Sequence, residues 1–352
     1  MHFFLGTNGP HGFFAYLGEL VDYSTARQVN IIKGMPGSGK STFIKNTAAA
    51  LEETYGHAEY FFCASDPDSL DGVVFPDGGI VFVDGTAPHV MEPQCPGAVD
   101  IYLNFALLND QPALAARRGT LSQLLAANKM CFSLATPLIN AASILEDTAY
   151  KRVISPELAE KIKSRGRSLS IREIPKTKRA AVTPVKRFLS AMTPGGLACR
   201  FETVTDNFER VIALDDNFGL AGLMLPELAA YAASQGYKTY ECYHPLHPGS
   251  LVEHVLIPEL KLAFVTNSRS LPYPAKPTRH IRLDSCIPIV KEQRSGLRFI
   301  AKTRAACLEE AAGHLRDAKL VHYEVEALIK QYIDFAAIDD LTERKIRELL
   351  PA

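Results

Sequence analysis

VNIIKGMPGSGKSTFIKN, residues 29–46, decides how the rest of the chain is read. Val29 to Ile32 is a short apolar run of the kind that forms a buried strand. Gly34-Met-Pro-Gly-Ser-Gly39-Lys40-Ser41 follows and fits the G-x-x-x-x-G-K-[ST] pattern of a phosphate-binding loop. In such a loop glycines reach backbone angles closed to other residues, so successive N–H groups can face phosphate oxygens. Gly34, Pro36, Gly37, Ser38, Gly39, Lys40, Ser41 and Thr42 are the expected nucleotide-binding residues. Lys40 would neutralise the β and γ phosphates, and Ser41 would offer its hydroxyl to Mg²⁺. Residues 41–54 read as the helix whose N-terminal dipole adds positive potential.

A second apolar run, GGIVFVDG, ends in Asp84, the expected second Mg²⁺ anchor. Gly85 follows where a water-activating Glu would favour fast hydrolysis, and no Asn-Lys-x-Asp segment is present to read guanine. ATP is therefore the expected nucleotide. Between these runs Tyr60–Cys63 reads as a central strand, with Asp66, Asp68 and Asp71 after it. Ligands bind at the carboxyl ends of strands in open α/β sheets. The three carboxylates are candidates for general base, acceptor positioning or metal work, or else form a solvated turn. His89, in DGTAPH, is a further catalytic candidate beside a structural reading.

RVIALDDNFGLAGLML, residues 210–225, repeats the strand–loop–helix layout without its chemistry. Gly219 answers Gly37 at an offset of 219 − 37 = 182, and Pro258 answers Pro76 at the same offset. In that register Lys40 becomes Gly222, Ser41 becomes Leu223 and Asp84 becomes Thr266. HPGSL at 247–251 echoes DPDSL at 66–70, and FLSAMTPGGL at 188–197 echoes FLGTNGPHGF at 4–13, each pair of the latter reading as a hairpin. The expected fold is α/β: a P-loop NTPase-type three-layer αβα core, duplicated in tandem, with long helical tails and a degenerate second copy. The expected domains are 1–165, a basic connector 166–187, and 188–352. Asp215 and Asp216 would repel a phosphate from the second loop.

Helical periodicity covers 112–150 and 304–335, and Ser155-Pro156 reads as an N-cap and first turn. Arg117 and Arg118 are candidates to reach a γ phosphate. The run 161–187 holds ten Lys or Arg and one acid, Glu173; it reads as a solvated connector, a phosphate clamp or a nucleic-acid contact. Its lack of aromatic interleaving disfavours nucleic acid.

GMPGSGKST, DPDSLDGVVFP, VDGTAPH and PGAVD together resemble a family of bacterial tandem-repeat P-loop proteins, ATPases or nucleotide-kinase-like. The resemblance spans nearly the whole chain and implies ATP bound at 34–42, with no substrate attached to it. Composition agrees with a soluble cytoplasmic protein. The 352 residues carry a net charge of −1, seven scattered cysteines without a Cys-x-x-Cys pair, and no basic, apolar leader. The function expected is a Mg²⁺-ATP enzyme, a slow ATPase or a small-molecule kinase. The alternatives are an ATP-dependent switch for a protein partner and a nucleic-acid-associated ATPase.

Overall fold

The computed structural model describes residues 1–288 and 291–351. In chain order its first half contains β1 (His2–Phe4), β2 (Gly6–Gly9), β3 (Gly12–Ala15), β4 (Gln28–Lys33), α1 (Lys40–Tyr55), β5 (Glu59–Phe62), β6 (Leu70–Phe75), β7 (Ile80–Asp84), β8 (Asp100–Asn104), α2 (Gln111–Ala115), α3 (Arg118–Val153) and α4 (Pro156–Glu173). The second half contains β9 (Val185–Arg187), β10 (Ser190–Thr193), β11 (Gly196–Cys199), α5 (Glu202–Asn207), β12 (Arg210–Asp215), α6 (Ala221–Ser234), β13 (Tyr240–Tyr243), β14 (Val252–Ile257), β15 (Leu262–Asn267), β16 (Arg279–Arg282), α7 (Lys291–Ile329) and α8 (Phe335–Leu349).

The duplication is visible strand by strand. One six-stranded sheet runs β1-β5-β6-β7-β4-β8 and the other, read the same way, β9-β13-β14-β15-β12-β16. In each, a single strand runs antiparallel to its neighbours, β6 in one and β14 in the other. Each sheet also breaks register at one place, between Phe61 and Phe62 or between Cys242 and Tyr243. The hairpins read from the sequence form as β2–β3 and β10–β11. The segment around Tyr60 lies one place in from the sheet edge rather than at its centre, because the short β1 takes the edge beside it.

The chain folds into two compact units that interleave the copies in sequence. One comprises residues 1–6, 15–135 and 313–352; the other comprises 7–14 and 136–312. The sequence repeat points to 1–165, a connector 166–187, and 188–352. Contacts instead group the first copy's core with the end of the second copy's helical tail.

In the first unit β4 is buried from Val29 to Ile32, as a parallel strand with neighbours on both sides should be. The one polar residue of that buried stretch, Asn30, donates to the Val81 carbonyl. α1 lays Phe43, Ile44, Ala48 and Leu51 over β6 and β7, and α8 seals that cluster with Ile338 and Leu349. In the second unit α4 packs on α6, with Gly166 close against Met224. Ser155 caps α4 as expected, accepting from the Leu158 N–H at 3.2 Å. The long tail helix α7 begins earlier than the periodicity suggested. Charged residues and Gly296 blur the pattern there, yet Leu297 and Ile300 are buried. No helix among the described residues is long and apolar enough to cross a membrane.

Candidate functional site

The loop 34–39 connects β4 to α1 with Gly37 at φ +77° and Gly39 at φ +82°, angles that carry a heavy penalty for any side chain. Lys40 opens the helix and turns back under its own loop. Its Nζ donates to the carbonyls of Gly34 at 2.7 Å and Met35 at 2.9 Å, and lies 3.4 Å from Asp84 Oδ2. The ammonium is thus fixed beside the loop by three oxygens, with its side chain 11% exposed. Ser41 Oγ accepts the Leu70 N–H at 2.9 Å, which places the hydroxyl at the start of β6. Asp84 stands at the end of β7, and its Oδ1 accepts the Thr86 N–H. Thr86 in turn exchanges hydrogen bonds with Gly34, through its Oγ1 to both the N–H and the carbonyl at 3.1 Å. Thr86 therefore ties the loop to the end of β7, a role the sequence did not disclose although it lies inside DGTAPH. Ser38 is buried, Pro36 partly buried and Thr42 exposed.

The three aspartates do not act together. Asp66 pairs with Lys319 of the tail at 2.8 Å. Asp68 only lends its carbonyl to Lys45. Asp71 alone is drawn in: it is the second residue of the antiparallel β6, at the end where β4 and β7 finish, and is 6% exposed. His89 Nε2 stands 3.4 Å from Asp71 Oδ2, both side chains being buried. Burial raises the Asp71 carboxyl above its ordinary value; His89 and Lys40 pull it down, and neighbouring Asp84 pushes it up. Cys63, just past β5, joins this pair, and its thiol is pushed well up by burial and by Asp71. Arg117 is held by the Tyr332 hydroxyl and Arg118 is exposed at the start of α3.

The tail supplies residues that the copy-by-copy reading assigned elsewhere. A Cβ added at Gly37 would come within 2.8 Å of the Glu326 Cα, and one at Gly39 within 3.1 Å of Ile338. The end of α7 and the start of α8 thus seat directly on the glycine loop. Glu326 is held well ionised, at about 2, chiefly by a hydrogen bond from His322 with help from Lys330. No local pattern in the sequence says which core this amphipathic tail will cover.

In the second unit a carboxylate takes two of the loop's N–H groups. Asp216 Oδ1 accepts the Phe218 N–H at 2.9 Å and Oδ2 the Ala221 N–H at 2.6 Å. Its carboxylate does for this loop what a phosphate oxygen would do in the first. A side chain at Gly222, the counterpart of Lys40, would run into Leu251 at 2.0 Å. Thr266, in the place of Asp84, donates to the Glu253 carbonyl. A cavity of about 600 Å³ remains at this end of the sheet, lined among others by Asp216, Glu253, Arg294 and Arg298. Glu146, His244 and His247 also approach one another there. Burial would raise Glu146, but His244, His247 and Arg304 together hold it well below the carboxylate range. Arg304 Nε lies 3.2 Å from Glu146, and His244 Nδ1 accepts the Leu246 N–H. That bond leaves the proton on Nε2, which faces Glu146 and Glu253. His244 is therefore neutral, its pKa lowered chiefly by burial, and turns no lone pair toward Glu146, whose charge Arg304 answers.

The basic run 161–187 is helical up to Glu173 and much of its charge is answered. Arg167 meets Glu160 and Glu227, Arg172 meets Glu173, and Arg179 meets Glu259. No protein-family model, curated protein or solved structure matches the chain.

Proposed function

We propose that the chain is a Mg²⁺-ATP-dependent enzyme of P-loop type, transferring a phosphoryl group to water or to a small-molecule acceptor, with one nucleotide site on the first unit. The observation that carries this reading is the fixation of Lys40 by Gly34, Met35 and Asp84 beside a loop with two glycines at positive φ. The residues fit the ligand: the loop's backbone N–H groups and α1's N-terminus suit phosphate, while Ser41 Oγ and Asp84 Oδ2 are oxygen donors of the kind Mg²⁺ takes. Bound there, Mg²⁺-ATP would supply the transferable phosphoryl group. The protein's part is positioning and charge neutralisation: Lys40 offsets phosphate charge, Thr86 holds the loop, and Asp71 and His89 define the acceptor side. The absence of an Asn-Lys-x-Asp segment supports adenine over guanine. Lys40→Ala should bind Mg²⁺-ATP at least tenfold more weakly in calorimetry and lose turnover, measured as release or transfer of γ-labelled phosphate. Undiminished turnover in that variant would refute the reading.

A second reading, an ATP-dependent switch, draws on the tail seated on Gly37. In it nucleotide binding changes how residues 313–352 lie on the loop. Hydrogen exchange of that segment should then differ between Mg²⁺-ATP and Mg²⁺-ADP; identical exchange would reject the switch and leave the enzyme reading standing.

A further inference from the structure

Cys63 meets Asp71 and His89, the two residues placed above on the acceptor side, at the same sheet end. Cys63 follows β5, Asp71 is the second residue of β6, and His89 lies in the loop after β7. One ligand atom from each lies within 4.8 Å of the other two. We propose that Cys63, Asp71 and His89 form a binding site for a single borderline divalent transition ion of the Zn²⁺ type, separate from the Mg²⁺ expected at Ser41 and Asp84.

The donor set suits such an ion. Sulfur, imidazole nitrogen and a carboxylate oxygen select zinc-like metals over Mg²⁺, which takes oxygen alone. Three protein ligands leave a fourth tetrahedral position for water, the pattern of a reactive zinc site rather than a closed structural one. A second observation points the same way. Asp71 Oδ2 is buried with no well-formed hydrogen bond: His89 Nε2 stands at 3.4 Å, long for a bond, and the Cys63 thiol lies against the same carboxyl group. A buried carboxylate oxygen in that condition is costly, and a cation held among the three side chains would satisfy it. A thiol ligates a metal as its thiolate, so binding of the ion would release the Cys63 proton. The contrast with the second unit is instructive. There Arg304 already occupies Glu146, whereas no arginine is paired with Asp71 among the described residues.

The test is equilibrium dialysis of the full chain with Co²⁺, without nucleotide, followed by absorption spectroscopy. The expected result is one Co²⁺ per chain with a thiolate-to-cobalt charge-transfer band. Cys63→Ser should abolish the band, whereas Cys95→Ser, at an exposed cysteine, should keep it. Asp71→Asn, nearly isosteric and checked for folding by circular dichroism, should weaken Co²⁺ binding at least tenfold. Lys40→Ala should retain the band while losing ATP, so that failure of the nucleotide reading and failure of this one are distinguishable. No bound Co²⁺, or a band that survives Cys63→Ser, would overturn the proposal.

Discussion

Replacing Gly37 by alanine should load two separate costs onto one position. The residue sits at φ +77°, where an L side chain costs about 1–2 kcal/mol. The new Cβ would also stand 2.8 Å from the Glu326 Cα and 3.0 Å from its carbonyl oxygen, well inside ordinary contact. Backbone cannot swing aside as a flexible side-chain tip can, so the overpacking adds roughly 1–3 kcal/mol. Together the expected loss is about 2–5 kcal/mol, unless the tail lifts and surrenders its own packing. Gly97→Ala is the control, because it has φ +78° with nothing within 4 Å and should show the backbone cost alone. Urea unfolding would give the stabilities, and hydrogen exchange would report on residues 313–352. Gly37→Ala should cost more than Gly97→Ala and raise exchange around Glu326 and Ile338. Equal costs in the two variants, with unchanged exchange in the tail, would refute the seating of the tail on the loop.

Two further outcomes follow from the second unit. Burial raises Asp216 from its ordinary 3.8 to about 6, against the pull of the Ala221 and Phe218 N–H groups. The folded state therefore holds this proton more tightly than the unfolded state. Its stabilising contribution is complete below pH 3.8 and is lost as pH rises through 6, by roughly 3 kcal/mol. Asp216→Ala should flatten the unfolding free energy against pH between 4 and 7 relative to wild type; parallel curves would contradict the assignment. Ser155→Ala should remove the cap on α4 at a cost of about 1 kcal/mol in urea unfolding, and no change would show the Leu158 bond to be idle.

What could be read from the chain was local. The loop 34–41, the place of Asp84 at the end of β7, the Ser155 cap and the strand–loop–helix echo at 210–225 each rest on residues a few positions apart. Their spacing alone constrains their geometry. The repeat was legible for the same reason, and the matching strand orders bear it out. The grouping of the tail was not legible. Amphipathic periodicity says that α8 has an apolar face, but duplicated cores offer two similar surfaces for it, and only the contacts of Ile338 and Leu349 decide. The fate of Asp66, Asp68 and Asp71 was hidden for another reason. Which way a carboxylate near a turn faces depends on partners distant in sequence, as Asp66 turns to Lys319 of the tail and Asp71 to His89. The sequence puts Asp215 and Asp216 at the second loop, but only the fold shows that Asp216 accepts two of the loop's N–H groups while Asp215 turns to Asn267 and His280.

Isothermal titration of the full chain with a non-hydrolysable ATP analogue in Mg²⁺ tests the central claim most directly. The account predicts one binding event per chain, abolished by Lys40→Ala and untouched by Asp216→Ala. Two equivalent events per chain, or none in the presence of magnesium, would contradict it.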